Sequence, residues 1–161
     1  MANFDIAVAK TLLKEGGGKI TNDPTDNGGL TKYGITKRSY PNLDISNLTE
    51  QQAKDIYYKD FWVPIFGDEI NLQTMAESIF DFAVNANVKT SVICAQASLH
   101  GPFCDGKMGA QTLASLNSTV SWIFFRSFAL EKVKHYAAIC DDHPDQIKWL
   151  HGWINRSLEG L

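Results

Sequence analysis

The sequence predicts a mainly α-helical fold carrying one small β-hairpin, and three observations lead there. Apolar residues recur at steps of three and four along most of the chain. Short β-prone stretches are confined to one place, Ile20-Thr21 and Leu30 to Ile35, on either side of a cluster of Pro, Asp, Asn and Gly that reads as a tight hairpin loop. No linker rich in Pro, Gly or Ser divides the helical segments, so two lobes, residues 1–88 and 89–161, are expected to pack as one unit.

The elements follow in order. Phe4, Val8, Thr11 and Leu12 mark the apolar side of a first helix that ends before Gly16-Gly17-Gly18. After the hairpin, Thr49-x-x-Gln52 is a capping-box signature for a helix running to about Asp60, with Ala53, Ile56 and Tyr57 on one side. The run Phe61-Trp62-Val63-Pro64-Ile65-Phe66-Gly67 breaks it. Met75, Ile79, Phe82, Ala83 and Ala86 form an amphipathic stripe on the next helix, where Asp81 and Asn85 lie one turn apart. Val92, Ala95 and Leu99 predict a short helix, residues 101–109 a loop, and Thr112, Leu113 and Leu116 another helix. A long central helix runs from Val120 to Cys140 with Ile123, Leu130, Val133, Ala137 and Cys140 on its inner face, widened by Phe124, Phe125 and Phe128. A last helix holds Trp149, Leu150, Trp153 and Ile154.

Glu15 is the residue that asks for a chemical explanation. At about 100° per residue it projects within about 20° of Phe4 and Val8, so it points inward from the last turn of the first helix. An anion there would lose water and meet the negative end of the helix dipole, surroundings in which a carboxyl can serve as a general acid. The hairpin folding back over this helix end would bring Asp23, Asp26 and Thr31 opposite it. Two carboxyl groups in unlike surroundings are what glycoside hydrolysis requires. The plainer reading of the same loop is a surface turn whose aspartates cap backbone amides.

Glu15-Gly16-Gly17 followed by Asp26-x-Gly28-Gly29-x-Thr31-x-x-Gly34-Ile35 resembles the N-terminal signature of the glycoside hydrolase family 108 muramidases, which include phage endolysins and secretion muramidases. The resemblance continues through Asp81-Phe82-Ala83-Val84-Asn85. It reaches Gln96-x-x-Leu99, Asp105-Gly106-x-x-Gly109-x-x-Thr112-Leu113 and Gly152-Trp153-x-Asn155-Arg156, which resemble that family's peptidoglycan-binding part. Where the family commonly has an aromatic after Glu-Gly-Gly, this chain has Gly18. The resemblance implies a lysozyme-like fold with a catalytic lobe in 1–88 and a peptidoglycan-binding helical lobe in 89–161. It implies cleavage of the β-1,4 bond between N-acetylmuramic acid and N-acetylglucosamine, with Glu15 as the acid. By analogy with other small lysozymes, Asp26 is the second carboxylate and Thr31 its partner, with Asp23 as the rival. Tyr33, Trp62 and Trp153 are candidates for stacking on sugars, and Asp81 with Asn85 for polar contacts in the cleft. The alternatives are a wall-binding module without activity and a lytic transglycosylase.

Composition excludes several other classes. At 161 residues and 44% apolar the chain can bury a good core without disulfides. A net charge of −3 with no Lys/Arg clustering argues against nucleic acid. Gly16-Gly17-Gly18-Lys19 lacks the other residues of a phosphate-binding loop, and the calcium-loop-like Asp23-x-Thr25-x-Asn27-Gly28 ends on Gly34 where a Glu ligand is needed. His100, His135, His143 and His151 show no metal spacing, and Cys94, Cys104 and Cys140 match no zinc or disulfide pattern. No cofactor or metal is expected. The N-terminus has no secretory pattern and no segment has membrane-spanning character. The expected protein is a monomer made in the cytoplasm, acting on glycan strands and stem peptides in the periplasm after release by a holin or an equivalent, without stable membrane insertion.

Overall fold

The computed structural model describes residues 1–22, 29–101 and 104–159. The described residues form a mainly helical fold of seven α-helices and a two-stranded antiparallel hairpin. Helix α1, Phe4–Lys14, starts at the Asn3 side chain, which accepts from the Ile6 amide, and buries Ala7, Val8, Thr11 and Leu12. Strands β1, Thr31–Lys32, and β2, Ile35–Thr36, pair Lys32 with Ile35 across Tyr33-Gly34. Both turn residues have positive φ, 54° and 75°, the geometry of a two-residue type I′ turn. The loop expected over Pro24 to Gly28 lies outside the described residues. Around residues 23–28, which fall outside the described residues, the chain is closed by a single bridge, Thr21 to Thr31, with reciprocal amide bonds of 2.9 and 2.8 Å.

Helix α2, Glu50–Tyr57, carries the expected capping box between Thr49 and Gln52. It does not stop at Asp60 but widens into a π-turn over Tyr58–Trp62, which rotates Trp62 inward, and two 3-10 turns follow. Helix α3, Gln73–Asn85, is the hub. Its buried residues cover more than one side: Phe80 packs edge-on against Phe4, Tyr57 and Trp62 of the first half, while Phe82 packs edge-on against rings of the second. Helix α4, Val88–Ser98, lies against it, with Ser91 donating to the Ile79 carbonyl at 2.7 Å. Buried Cys94 aims its thiol at the Glu131 carbonyl, and burial pushes that thiol up to about 12. Helix α5, Ala110–Ser118, is tied to the chain before α3 through Asn117, which bonds Asn71 and Glu69.

Helix α6, Ser121–Asp142, is long and central as expected, but its inner face is another one. The core side consists of Phe124, Phe128, Ala129, Lys132 and Tyr136, whereas Ile123, Leu130 and Ala137 face outward. The stripe that packs includes a lysine and a tyrosine, which is why apolar periodicity pointed to the opposite side. Helix α7, Leu150–Leu158, then packs along α6 with Trp153 stacked flat on Tyr136 at 4.8 Å.

Lys132 is the costly residue of this core. It is 7% exposed, and burial lowers its pKa to about 8. Between pH 8 and the ordinary 10.5, the unfolded chain binds a proton at this site that the folded chain does not, so stability rises with pH across that window and the penalty is fully present below pH 8. Lys132→Met is expected to be more stable at pH 7 by up to about 3 kcal/mol and to lose this rise. Denaturant unfolding of both proteins at pH 7, 8, 9 and 10 measures it; equal pH slopes would refute the assignment.

Candidate active site

Glu15 is the C-cap of α1, with φ −82° and ψ 17°. Gly17 donates to the Leu12 carbonyl at 2.8 Å and Gly16 to that of Leu13 at 3.3 Å, the two bonds of a Schellman cap. Gly16 sits at φ 81° and Gly17 at 60°, so both glycines are required by backbone conformation. This explains the Glu-Gly-Gly motif: the glycines end the helix and leave the Glu side chain projecting at the turn. The hairpin holds that side chain from above. A Cβ at Gly34 would stand 3.0 Å from Glu15 Cβ and Cγ and 2.6 Å from the Tyr57 hydroxyl, so only glycine lets the turn rest on the Glu15 stem. Tyr57 itself is buried and donates to the Tyr33 carbonyl at 2.9 Å. Burial first, and then the charge of Glu15, pushes its hydroxyl well above the usual range.

The surroundings of Glu15 differ from the expected apolar ones. Its side chain is about a quarter exposed, and Arg156 of α7 reaches it, Nη2 to Oε1 at 3.5 Å. The same guanidinium donates to Asp81 of α3, Nε to Oδ2 at 3.2 Å and Nη2 to Oδ1 at 3.1 Å. Lys14 adds a contact to Asp81 at 3.3 Å and one to Glu159 at 2.6 Å. Burial opposes the charge on Arg156, but Asp81 and then Glu15 outweigh it and raise its pKa further. The side chain is thus a fixed cation bridging α1, α3 and α7. Arg156 was legible only as part of a motif, because its partners lie 141 and 75 residues away.

The structure places the remaining candidates as follows. Asp26 and its rival Asp23 lie outside the described residues. Thr31 is half-buried at the start of β1, its hydroxyl donating to the Gly29 carbonyl at 2.9 Å. Tyr33, half-buried, lays its ring on Gly18: a Cβ there would be 2.8 Å from the Tyr33 hydroxyl. The chain therefore puts an aromatic from the hairpin over the position where the family commonly carries its own. Asp81 is bound up with Arg156, and Asn85 accepts from the Tyr136 hydroxyl, so the pair ties α3 to α7 and α6. Trp153 gives one face to Tyr136. Trp62 does not belong to the site. It is fully buried, donates to Asp68 at 2.9 Å, and lies so close to the Gly67 backbone that a Cβ there would be 2.2 Å away, leaving no face for a sugar. Among the described residues no group of three His, Cys, Asp or Glu side chains could hold a metal ion, and no helix is long and apolar enough to cross a membrane.

Residues 8–86 match the family model described as Glycosyl hydrolase 108, and residues 98–158 match a predicted peptidoglycan domain. Fold, site and these matches define a lysozyme-like peptidoglycan hydrolase, a glycosidase joined to a wall-binding region. The chain is similar to the solved structure of SagA from Brucella abortus over 96% of this chain and 93% of that one, with 22% identity and a TM-score of 0.72, a likeness of fold. No curated protein sequence matches it. Residues 8–86 thus form a glycosyl hydrolase family 108 segment.

Gly34→Ala tests the grip of the hairpin on Glu15. A side chain at φ 75° costs about 1–2 kcal/mol, and the added methyl must displace either the Tyr57 hydroxyl or the Glu15 stem. A lowered melting temperature together with a fall in wall hydrolysis of at least about tenfold is expected. Unchanged turnover would show that Glu15 is not held from this side.

Proposed function

We propose that the protein is an N-acetylmuramidase that hydrolyses the β-1,4 bond between N-acetylmuramic acid and N-acetylglucosamine, with Glu15 as its general acid. The observation that carries this reading is the Schellman-capped Glu15 carboxylate, held between the hairpin turn and Arg156 inside the segment matching family 108. Arg156 engages Oε1, and Oε2, which has no bond among the described residues, is assigned as the oxygen that donates to the glycosidic oxygen. Asp26 is assigned as the second carboxylate, acting as base or charge stabiliser, and Thr31 as the hydroxyl that orients it or the attacking water. Tyr33, held beside Glu15 through the Tyr57 bond, is the aromatic best placed to meet a sugar face. The lobes divide the work at residues 88 and 89. The working place assigned to the enzyme is the periplasmic wall, reached from the cytoplasm by a holin or an equivalent release.

Glu15→Gln is expected to fold with an unchanged melting temperature and to lose turbidity-clearing activity on purified peptidoglycan by roughly 10²–10⁴-fold. An active Glu15→Gln enzyme would remove the assignment. Asp26→Asn assayed beside Asp23→Asn should show the larger loss at Asp26. Mass spectrometry of the released fragments should find reducing-end muramic acid; 1,6-anhydro ends would make the enzyme a lytic transglycosylase instead.

A further inference from the structure

Lys132 has no part in the chemistry above, yet it stands at one of the most expensive places in the molecule. It lies on the inner stripe of α6 between Phe128 and Tyr136, its ammonium 5.1 Å from the Phe128 ring. Among the described residues no oxygen lies within hydrogen-bond or ion-pair reach of its Nζ. Among the described residues no polar side-chain atom sealed from solvent is left without a partner, so this nitrogen keeps access to open space. The space it meets is a cavity of about 380 Å³ between α1, α3, α6 and α7.

Among the described residues, three of the four cations lining that cavity have a carboxylate within 4 Å. Lys10 contacts Glu77 at 2.6 Å, Lys14 contacts Glu159 at 2.6 Å, and Arg156 contacts Asp81 at 3.1 Å. Lys132, the fourth cation on the lining, has no carboxylate within ion-pair reach among the described residues, and Asp81 and Glu159 act on it only from further away. A nearly buried ammonium facing a recess is balanced by a single negative charge with oxygen acceptors, and a carboxylate supplies that. A phosphate would bring up to two charges against one free cation.

The position of the cavity says where the carboxylate comes from. Arg156 lines it and also touches Glu15, so the recess lies one guanidinium away from the acid. The substrate carries a carboxylate-rich peptide on the muramic acid beside the cleaved bond. We propose that this cavity takes a carboxylate of the peptidoglycan stem peptide, with Lys132 as its counter-ion, so that Glu15 acts preferentially on glycan that carries a peptide. The proposal rests on Glu15 being the acid of wall cleavage.

Two measurements on the full chain test it. Calorimetric titration with the free tripeptide L-Ala-γ-D-Glu-diaminopimelate should show binding that weakens at least tenfold in Lys132→Met and recovers in part in Lys132→Arg. Succinate serves as the small free carboxylate. Succinate binding that depends on Lys132, with no tripeptide binding, would overturn the wall peptide as the ligand; equal binding by wild type and Lys132→Met would overturn the cavity as a site. Hydrolysis of peptide-bearing glycan is then compared with that of glycan stripped by an amidase. The wild type should show a KM about tenfold lower on the peptide-bearing polymer, and Lys132→Met should lose that difference; an unchanged KM ratio would refute the role. If the wild type cuts neither polymer, the muramidase reading fails, while the titration still judges the cavity. Because Lys132→Met removes a buried charge, it is expected to fold, and circular dichroism checks that.

Discussion

One guanidinium joins the two halves at Glu15. Arg156 comes from the peptidoglycan-domain segment, pairs with Asp81 on the central helix α3 and touches Glu15 at the end of α1. A partly buried pair of this kind gains little net stability, since desolvation offsets most of the attraction. What it supplies is geometry. Three helix segments far apart in sequence share one planar donor, so a shift in any of them is felt at Glu15. The second region therefore contributes a side chain to the surroundings of Glu15.

Much of this was legible from residues alone where the cause is local. The Glu-Gly-Gly segment encodes a helix stop, because two consecutive positive-φ positions need glycines, and the side chain just before them must project. Thr49 and Gln52 encode a capping box for the same reason. Features set by distant contacts were hidden. The inner face of α6 carries Lys132 and Tyr136, and a hydrophobic pattern discounts both. Trp62 carries the composition of a sugar platform, but it closes the π-turn with its indole in the core. The guanidinium facing Glu15 could not be inferred from the α1 sequence, which suggests an apolar lining.

Lys132 shows how stability and use of a site diverge in a small domain. A methionine would fill the same space at lower cost, so an ammonium there is explained better by what it meets than by packing. Gly34 is a different case: its positive φ suits the turn, and its missing side chain also lets the hairpin rest on Glu15. At Lys132 alone of these two does the local choice work against folding, the pattern expected where a sequence serves function before stability.

The reach of Arg156 also bears on how such an enzyme is kept harmless. Any product whose translation stops short of position 156, or from which a protease has removed α7, retains every residue of the family-108 segment but lacks the cation that Glu15 and Asp81 share. The ion-pair set around Glu15 is thereby linked to the integrity of a helix outside the hydrolase region, and fragments without that helix leave Glu15 and Asp81 without their shared cation.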